Sequence, residues 1–272
     1  MLKIIQALLR YLGLMSPTLA AHVTVALASR PQKFKRPERE LEQLAHATRL
    51  TYRGSRGTDN VAWSWGEGPV VIISHGWSSR GSQMASLAMA IAEAGFQAVA
   101  IDFTAHGDSG GKVIHFDNMS KDLIALSQQF DGVYALVGHS AGGVMSIAAR
   151  ELGFVAQRYV VMGAPVAPYP ALKAIRKHLK VSDEVLEKCK QVFAARMGVS
   201  WKELECGRAF YNGDGPLLLI YDTQDEEVPL QQGEEIHRLW KHSSLVVTEG
   251  LGHRKLMWDA TVIQEIRSFL RQ

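Results

Sequence analysis

The chain has 272 residues, of which 47% are apolar and 21% charged, a balance that fits a folded globular protein and excludes a disordered chain or a multi-span membrane protein. Its length suits one α/β domain with a modest insertion. The net charge is only +3 and the one basic run, Arg30, Lys33, Lys35, Arg36 and Arg39, is interleaved with Pro31, Pro37, Glu38 and Glu40, so it reads as a solvated linker and nucleic acid is not an expected partner.

Between Leu2 and Leu12, Lys3, Gln6 and Arg10 fall three and four apart among Leu2, Ile5, Leu8, Leu9 and Leu12, which predicts an amphipathic helix. Residues 1–28 are therefore a candidate for weak membrane-surface association. A helix that packs its broad apolar face on the domain is the preferred reading. The uncharged stretch from Tyr11 to Ala28 contains Ser16, Pro17, Thr18, His22 and Thr24, which argues against a membrane span. Arg10 and Pro17 likewise interrupt the apolar run of a secretory leader. A cytoplasmic placement is expected, in keeping with two cysteines, Cys189 and Cys206, that lack metal-site or redox spacing.

Thr48 to Arg53 and Val61 to Trp65 alternate in polarity around a turn-rich Gly54 to Asn60, predicting an antiparallel hairpin. Six short, continuously apolar runs follow, at 70–73, 98–101, 133–137, 159–162, 217–220 and 245–247. Apolar residues at successive positions suit strands buried on both faces, as in a parallel sheet covered by helices. Helices are expected near 81–94, 117–130, 141–152, 230–241 and 258–271. About fifty residues of helical periodicity between Pro165 and Gly215, including 171–180 and 183–197, exceed one crossover and read as an inserted helical cap. The expected organisation is an N-terminal helical segment and linker (1–45), an α/β core (46–165 and 215–272) and a cap (166–214).

The run 133–137 leads directly into Gly138-His139-Ser140-Ala141-Gly142-Gly143 and then a helical stretch, the strand, sharp turn and helix that a G-x-S-x-G nucleophile elbow requires. Glycines are needed because the turn is strained and brings strand and helix close together. A serine hydroxyl needs a base and a group to orient that base. Among ten histidines, His253 follows the last apolar run in Gly250-Leu251-Gly252-His253, whereas His178, His237 and His242 fall on helices, and His139 points elsewhere. The carboxylate should follow the run at 217–222. Asp225 lies within that loop; Asp222 ends the strand, and Glu226 and Glu227 read as solvated. The backbone N–H of Ala141, and that of Trp77 in Ser74-His75-Gly76-Trp77, are the candidate oxyanion donors. Asp102 to Ser109 reads as a loop bracing the site.

These residues resemble the α/β-hydrolase superfamily over roughly 48–272, and most of all its small bacterial serine hydrolases with a short helical cap. The resemblance implies an α/β-hydrolase fold, cleavage of carboxylic esters, thioesters or lactones through an acyl-enzyme, and no metal or cofactor. Trp77 departs from the H-G-G-G branch of lipases and esterases, and Ser140 from the dehalogenase and epoxide-hydrolase branches, which use aspartate there. The leading expectation is a carboxylesterase-like enzyme for a small or medium acyl substrate. An acyltransferase or C–C bond hydrolase using the same triad is the alternative, and a non-catalytic or membrane-associated binding protein the remaining one.

Overall fold

The computed structural model describes residues 1–272. Eight strands form one sheet: β1 (Thr48–Arg53), β2 (Asp59–Trp65), β3 (Val70–Ser74), β4 (Gln97–Asp102), β5 (Ala135–His139), β6 (Arg158–Met162), β7 (Leu217–Asp222) and β8 (Ser243–Thr248). Their spatial order is β1-β2-β4-β3-β5-β6-β7-β8. β2 runs antiparallel to β1 and β4, and all later pairings are parallel. The fold is that of an α/β hydrolase. Chain order reverses at β3, which lies between β4 and β5, so a crevice opens beyond the C-terminal ends of β3 and β5.

The helices are α1 (Leu2–Met15), α2 (Pro17–Ala28), α3 (Glu38–Leu44), α4 (Ala85–Glu93), α5 (Phe116–Ser127), α6 (Ala141–Ala148), α7 (Tyr169–Leu179), α8 (Asp183–Met197), α9 (Trp201–Glu205), α10 (Leu230–Leu239), α11 (Gly252–Lys255) and α12 (Ala260–Leu270). Two compact units are distinguished, one of residues 1–30 with 167–208 and the other of 31–166 with 209–272.

The larger unit contains the sheet. Strands β3 and β7 are buried at every position, which explains their unbroken apolar runs. Val71, Ile73, Val137, Val160 and Ile220 join Leu87, Ile91, Val262 and Ile266 of α4 and α12 in its core. The basic run after residue 30 is mostly exposed, as expected of a solvated linker, but Lys33 and Arg36 also pin it. Arg36 grips Asp108 at 2.8 and 3.0 Å, Lys33 donates to the carbonyls of Gly107 and Ser109, and buried Arg80 meets buried Glu40 of α3 at 2.7 and 2.9 Å. These partners lie 40 or more positions away, which a charge pattern cannot reveal.

In the smaller unit, Ser16 caps α2 through the Leu19 N–H, with Pro17 pre-set for the first helical turn. Ala20, Ala21, Thr24 and Val25 bury the side of α2 that meets α8. α1 packs on α2 and α7, where Gln6 Nε2 donates to the His178 carbonyl. Only Leu9 of α1 is buried, so the broad apolar face expected to pack is half uncovered. No helix is long and apolar enough to cross a membrane. Cys189 and Cys206 are both free thiols, and burial pushes the pKa of Cys189 up to about 12.

Candidate active site

β5 extends two residues beyond the apolar run, pairing Gly138 with Val161 and His139 with Met162 before the chain turns into α6. At that turn Ser140 has φ 53° and ψ −126°, a left-handed conformation that a side-chain-bearing residue adopts at a cost of order 1–3 kcal/mol. Its N–H donates to Met162 O at 2.9 Å and its carbonyl accepts from Val144 N–H, so strand and helix hold the bend from both sides. A Cβ on Gly138 would lie 2.5 Å from Gly143 Cα, and one on Gly142 would lie 2.3 Å from His75 O. Neither neighbour is a movable side chain.

The loop after β3 passes directly against this turn, since a Cβ on Gly76 would sit 3.1 Å from Ser140 Cβ. The N–H groups of Trp77 and Ala141 have no hydrogen-bond partner within the protein. Two histidines unforeseen from sequence brace this loop. The buried His75 donates from Nδ1 to Gly76 O at 2.7 Å and accepts from Phe103 N–H at Nε2. His106 donates from Nδ1 to Thr104 O and accepts from Ser78 N–H at Nε2, both at 3.1 Å, while its ring meets the Trp77 indole edge-on at 5.4 Å. Burial keeps both rings neutral, lowering His75 well below the usual value and His106 to about 4. The 102–109 loop thus braces the Trp77 segment through His106. Asp102 supports it from below, its buried carboxylate accepting from Gly81 N–H, Asp108 N–H and the Trp63 indole.

Asp225 and His253 meet at the ends of β7 and β8. His253 Nδ1 lies 2.7 Å from Asp225 Oδ2, and Asp225 Oδ1 accepts from the N–H groups of Glu227 and Val228 at 2.8 Å each. Glu226 and Glu227 are exposed, and Glu227 Oε2 comes within 3.9 Å of His253 Nε2, so it is not only a solvated residue. Gly163, at φ +51° after β6, passes so close that a Cβ there would be 3.2 Å from His253 Nδ1 and 3.3 Å from Asp225 Oδ2. Asp222 holds the two loops in register. Its Oδ1 accepts from Gln224 N–H and Gly252 N–H, and its Oδ2 from Leu251 N–H and Thr248 Oγ1, all within 3.0 Å. Burial would raise this carboxyl, but those donors outweigh it and hold its pKa below the ordinary range.

His139 departs from expectation. Instead of pointing away from the cluster, its ring lies 4.6 Å from that of His253 and its Nε2 donates to His253 O at 2.9 Å. Its Nδ1 is buried without a partner, and burial together with the neighbouring His253 lowers its pKa to about 3. The residue before Ser140 in the chain therefore carries the loop that bears His253. Ser140, Trp77, Ala141, Asp225 and His253 all fall at the C-terminal edge of the sheet, and no group of three or more His, Cys, Asp or Glu side chains is arranged to hold a metal ion.

The sequence matches the alpha/beta hydrolase family over residues 70–263, most of the chain and all of these site residues. The chain belongs to that family. Within it, similarity to curated proteins is distant: 24% identity over 231 residues to Protein ABHD12B of Homo sapiens, covering 74% of this chain and 60% of that one. To the non-heme chloroperoxidase CPO-A1 of Kitasatospora aureofaciens the identity is 28% over 156 residues, 56% of each chain. The chain thus spans less than two thirds of the length of either relative. Among solved structures, an esterase of Pyrococcus furiosus superposes with a TM-score of 0.68 at 17% identity, over 89% of this chain and 97% of that one. A bromoperoxidase of Bacillus anthracis gives 0.66 at 19%, over 83% and 100%. At such identities the likeness is one of fold.

Proposed function

We propose that this chain is a carboxylesterase-like serine hydrolase that cleaves a small or medium acyl ester, thioester or lactone through an acyl-enzyme. The observation that carries the reading is the 2.7 Å bond from His253 Nδ1 to the buried Asp225 carboxylate. That bond fixes the imidazole tautomer with its proton on Nδ1, leaving a lone pair on Nε2 to act as base. The strained elbow at Ser140 and the two unengaged amides of Trp77 and Ala141 support the same reading.

In this mechanism Ser140 Oγ attacks the substrate carbonyl carbon while its proton passes to His253 Nε2. Trp77 and Ala141 N–H groups receive the oxyanion of the tetrahedral adduct. Collapse breaks the ester C–O bond, and the leaving alkoxide takes the proton from His253 to depart as an alcohol. Water then attacks the acyl-Ser140 carbonyl, giving its proton to His253, and the second adduct releases the carboxylic acid as Ser140 recovers that proton. Asp225 stays ionised throughout, stabilising the imidazolium of each step.

A fluorophosphonate probe tests the reading, with labelling of Ser140 expected and none in a Ser140→Ala variant. Absence of labelling in folded wild-type protein would defeat it. A panel of esters, thioesters and lactones of graded acyl length, run with water and with alcohol acceptors, then defines the acyl group and separates hydrolysis from transfer.

A further inference from the structure

The smaller unit carries an apolar surface that the proposed chemistry does not use. From the N-cap Met1 along α1, Met1, Ile4, Leu8, Tyr11 and Met15 recur at spacings of three and four, which gathers them within about 80° of helix circumference. Each of the five is between 62% and 97% exposed. Leu14, and Leu19 and Val23 of α2, add further exposed apolar side chains. A soluble surface rarely leaves so many large apolar groups uncovered on one element.

The charges around this stripe indicate what covers it. Lys3 and Arg10, seven residues apart and both exposed, share one flank of α1, and residues 1–30 contain no Asp or Glu. The smaller unit holds twelve Lys and Arg against five Asp and Glu, net +7, whereas the larger holds eighteen against twenty-two, net −4. Pairing this face with a second copy would bring together two units of like charge, each at +7. An anionic surface meets no such opposition. At 14 residues α1 is about 21 Å long, short of the roughly 30 Å hydrocarbon core, so it suits lying along a bilayer and not crossing it.

We propose that α1 lies on the surface of an anionic lipid bilayer. Ile4, Leu8, Tyr11 and Met15 enter the boundary between headgroups and acyl chains, and Lys3 and Arg10 engage lipid phosphates.

Flotation of the full chain with vesicles tests this. Binding is expected to phosphatidylcholine vesicles containing phosphatidylglycerol, and much less to phosphatidylcholine alone. Lys3→Gln with Arg10→Gln should weaken binding roughly 25-fold, about fivefold per charge. Ile4→Ser, Leu8→Ser and Tyr11→Ser together should abolish it, while circular dichroism melts remain unchanged because all three side chains are exposed. Failure of the wild type to float with the anionic vesicles would overturn the proposal, as would undiminished flotation of the triple-serine variant. So would sedimentation showing a wild-type dimer that the triple variant dissolves, since the stripe would then be a contact between copies.

Discussion

Asp222 carries no reacting atom in the proposed mechanism, yet its carboxylate fastens the loop of Asp225 to the loop of His253 through four donors. An asparagine has one acceptor oxygen in place of two, so Asp222→Asn leaves donors unpaired at a fully buried position. We expect a stability loss of about 1–3 kcal/mol. As a positioning residue it should lower kcat on the order of tenfold to a hundredfold with little change in KM, because the misplaced imidazole is felt in the transition state. Steady-state kinetics beside a urea melt would read both, and equal kcat in the folded variant would contradict this role. The gathering of Ser140, Asp225 and His253 at one sheet edge is legible in the sequence, because each follows an apolar run that ends there. Asp222, His139 and Gly163 are not. Their roles rest on contacts with residues up to 114 positions away, and a bracing carboxylate looks in sequence like any strand-ending aspartate.

At the scale of elements, the junction of β5 and α6 sets the geometry of the site. The apolar run ends at Val137, and Gly138 and His139 look like turn residues, but pairing with β6 continues through His139. Strand pairing thus runs up to the serine and forces the reversal into one residue. Gly142 lies where α6 meets the loop after β3, and a methyl group there would press on the carbonyls of His75 and Ser74 at 2.3 and 2.7 Å. Gly142→Ala should therefore displace the segment bearing Trp77, costing about 1–3 kcal/mol of stability and slowing fluorophosphonate labelling. Unchanged labelling and melting would mean that the junction can yield. The parallel strands are legible to within about two residues at each end, because burial on both faces gives the inner ones an unbroken apolar signature. The pinning of the 31–40 segment to the 102–109 loop leaves no comparable trace.

Across the whole molecule, buried neutral histidines tie stability to pH. His106 and His139 titrate at about 4 and about 3 in the folded protein, against roughly 6.5 in an unfolded chain. Below that unfolded value the unfolded state binds more protons, so this contribution is fully present above about pH 6.5 and is lost as pH falls towards 4. Asp102, raised by burial, acts in the opposite sense. Replacing one histidine isolates its share. His106→Gln should flatten the fall in urea midpoint between about pH 7 and about pH 4.5, whereas a parallel but lower curve would assign the acid loss to other groups.

Because β3 to β8 run in one direction, every group of the candidate site is delivered to a single edge, and the opposite edge carries none of them. Gly95, Gly132 and Gly153 lie in turns leading into β4, β5 and β6 at that far edge, and a Cβ at any of the three would meet nothing within 4 Å. These turns are natural places to graft a fluorescent tag, a surface anchor or a fused partner. The protein can be tethered from beneath its sheet, with the loops around Ser140 facing away from the attachment.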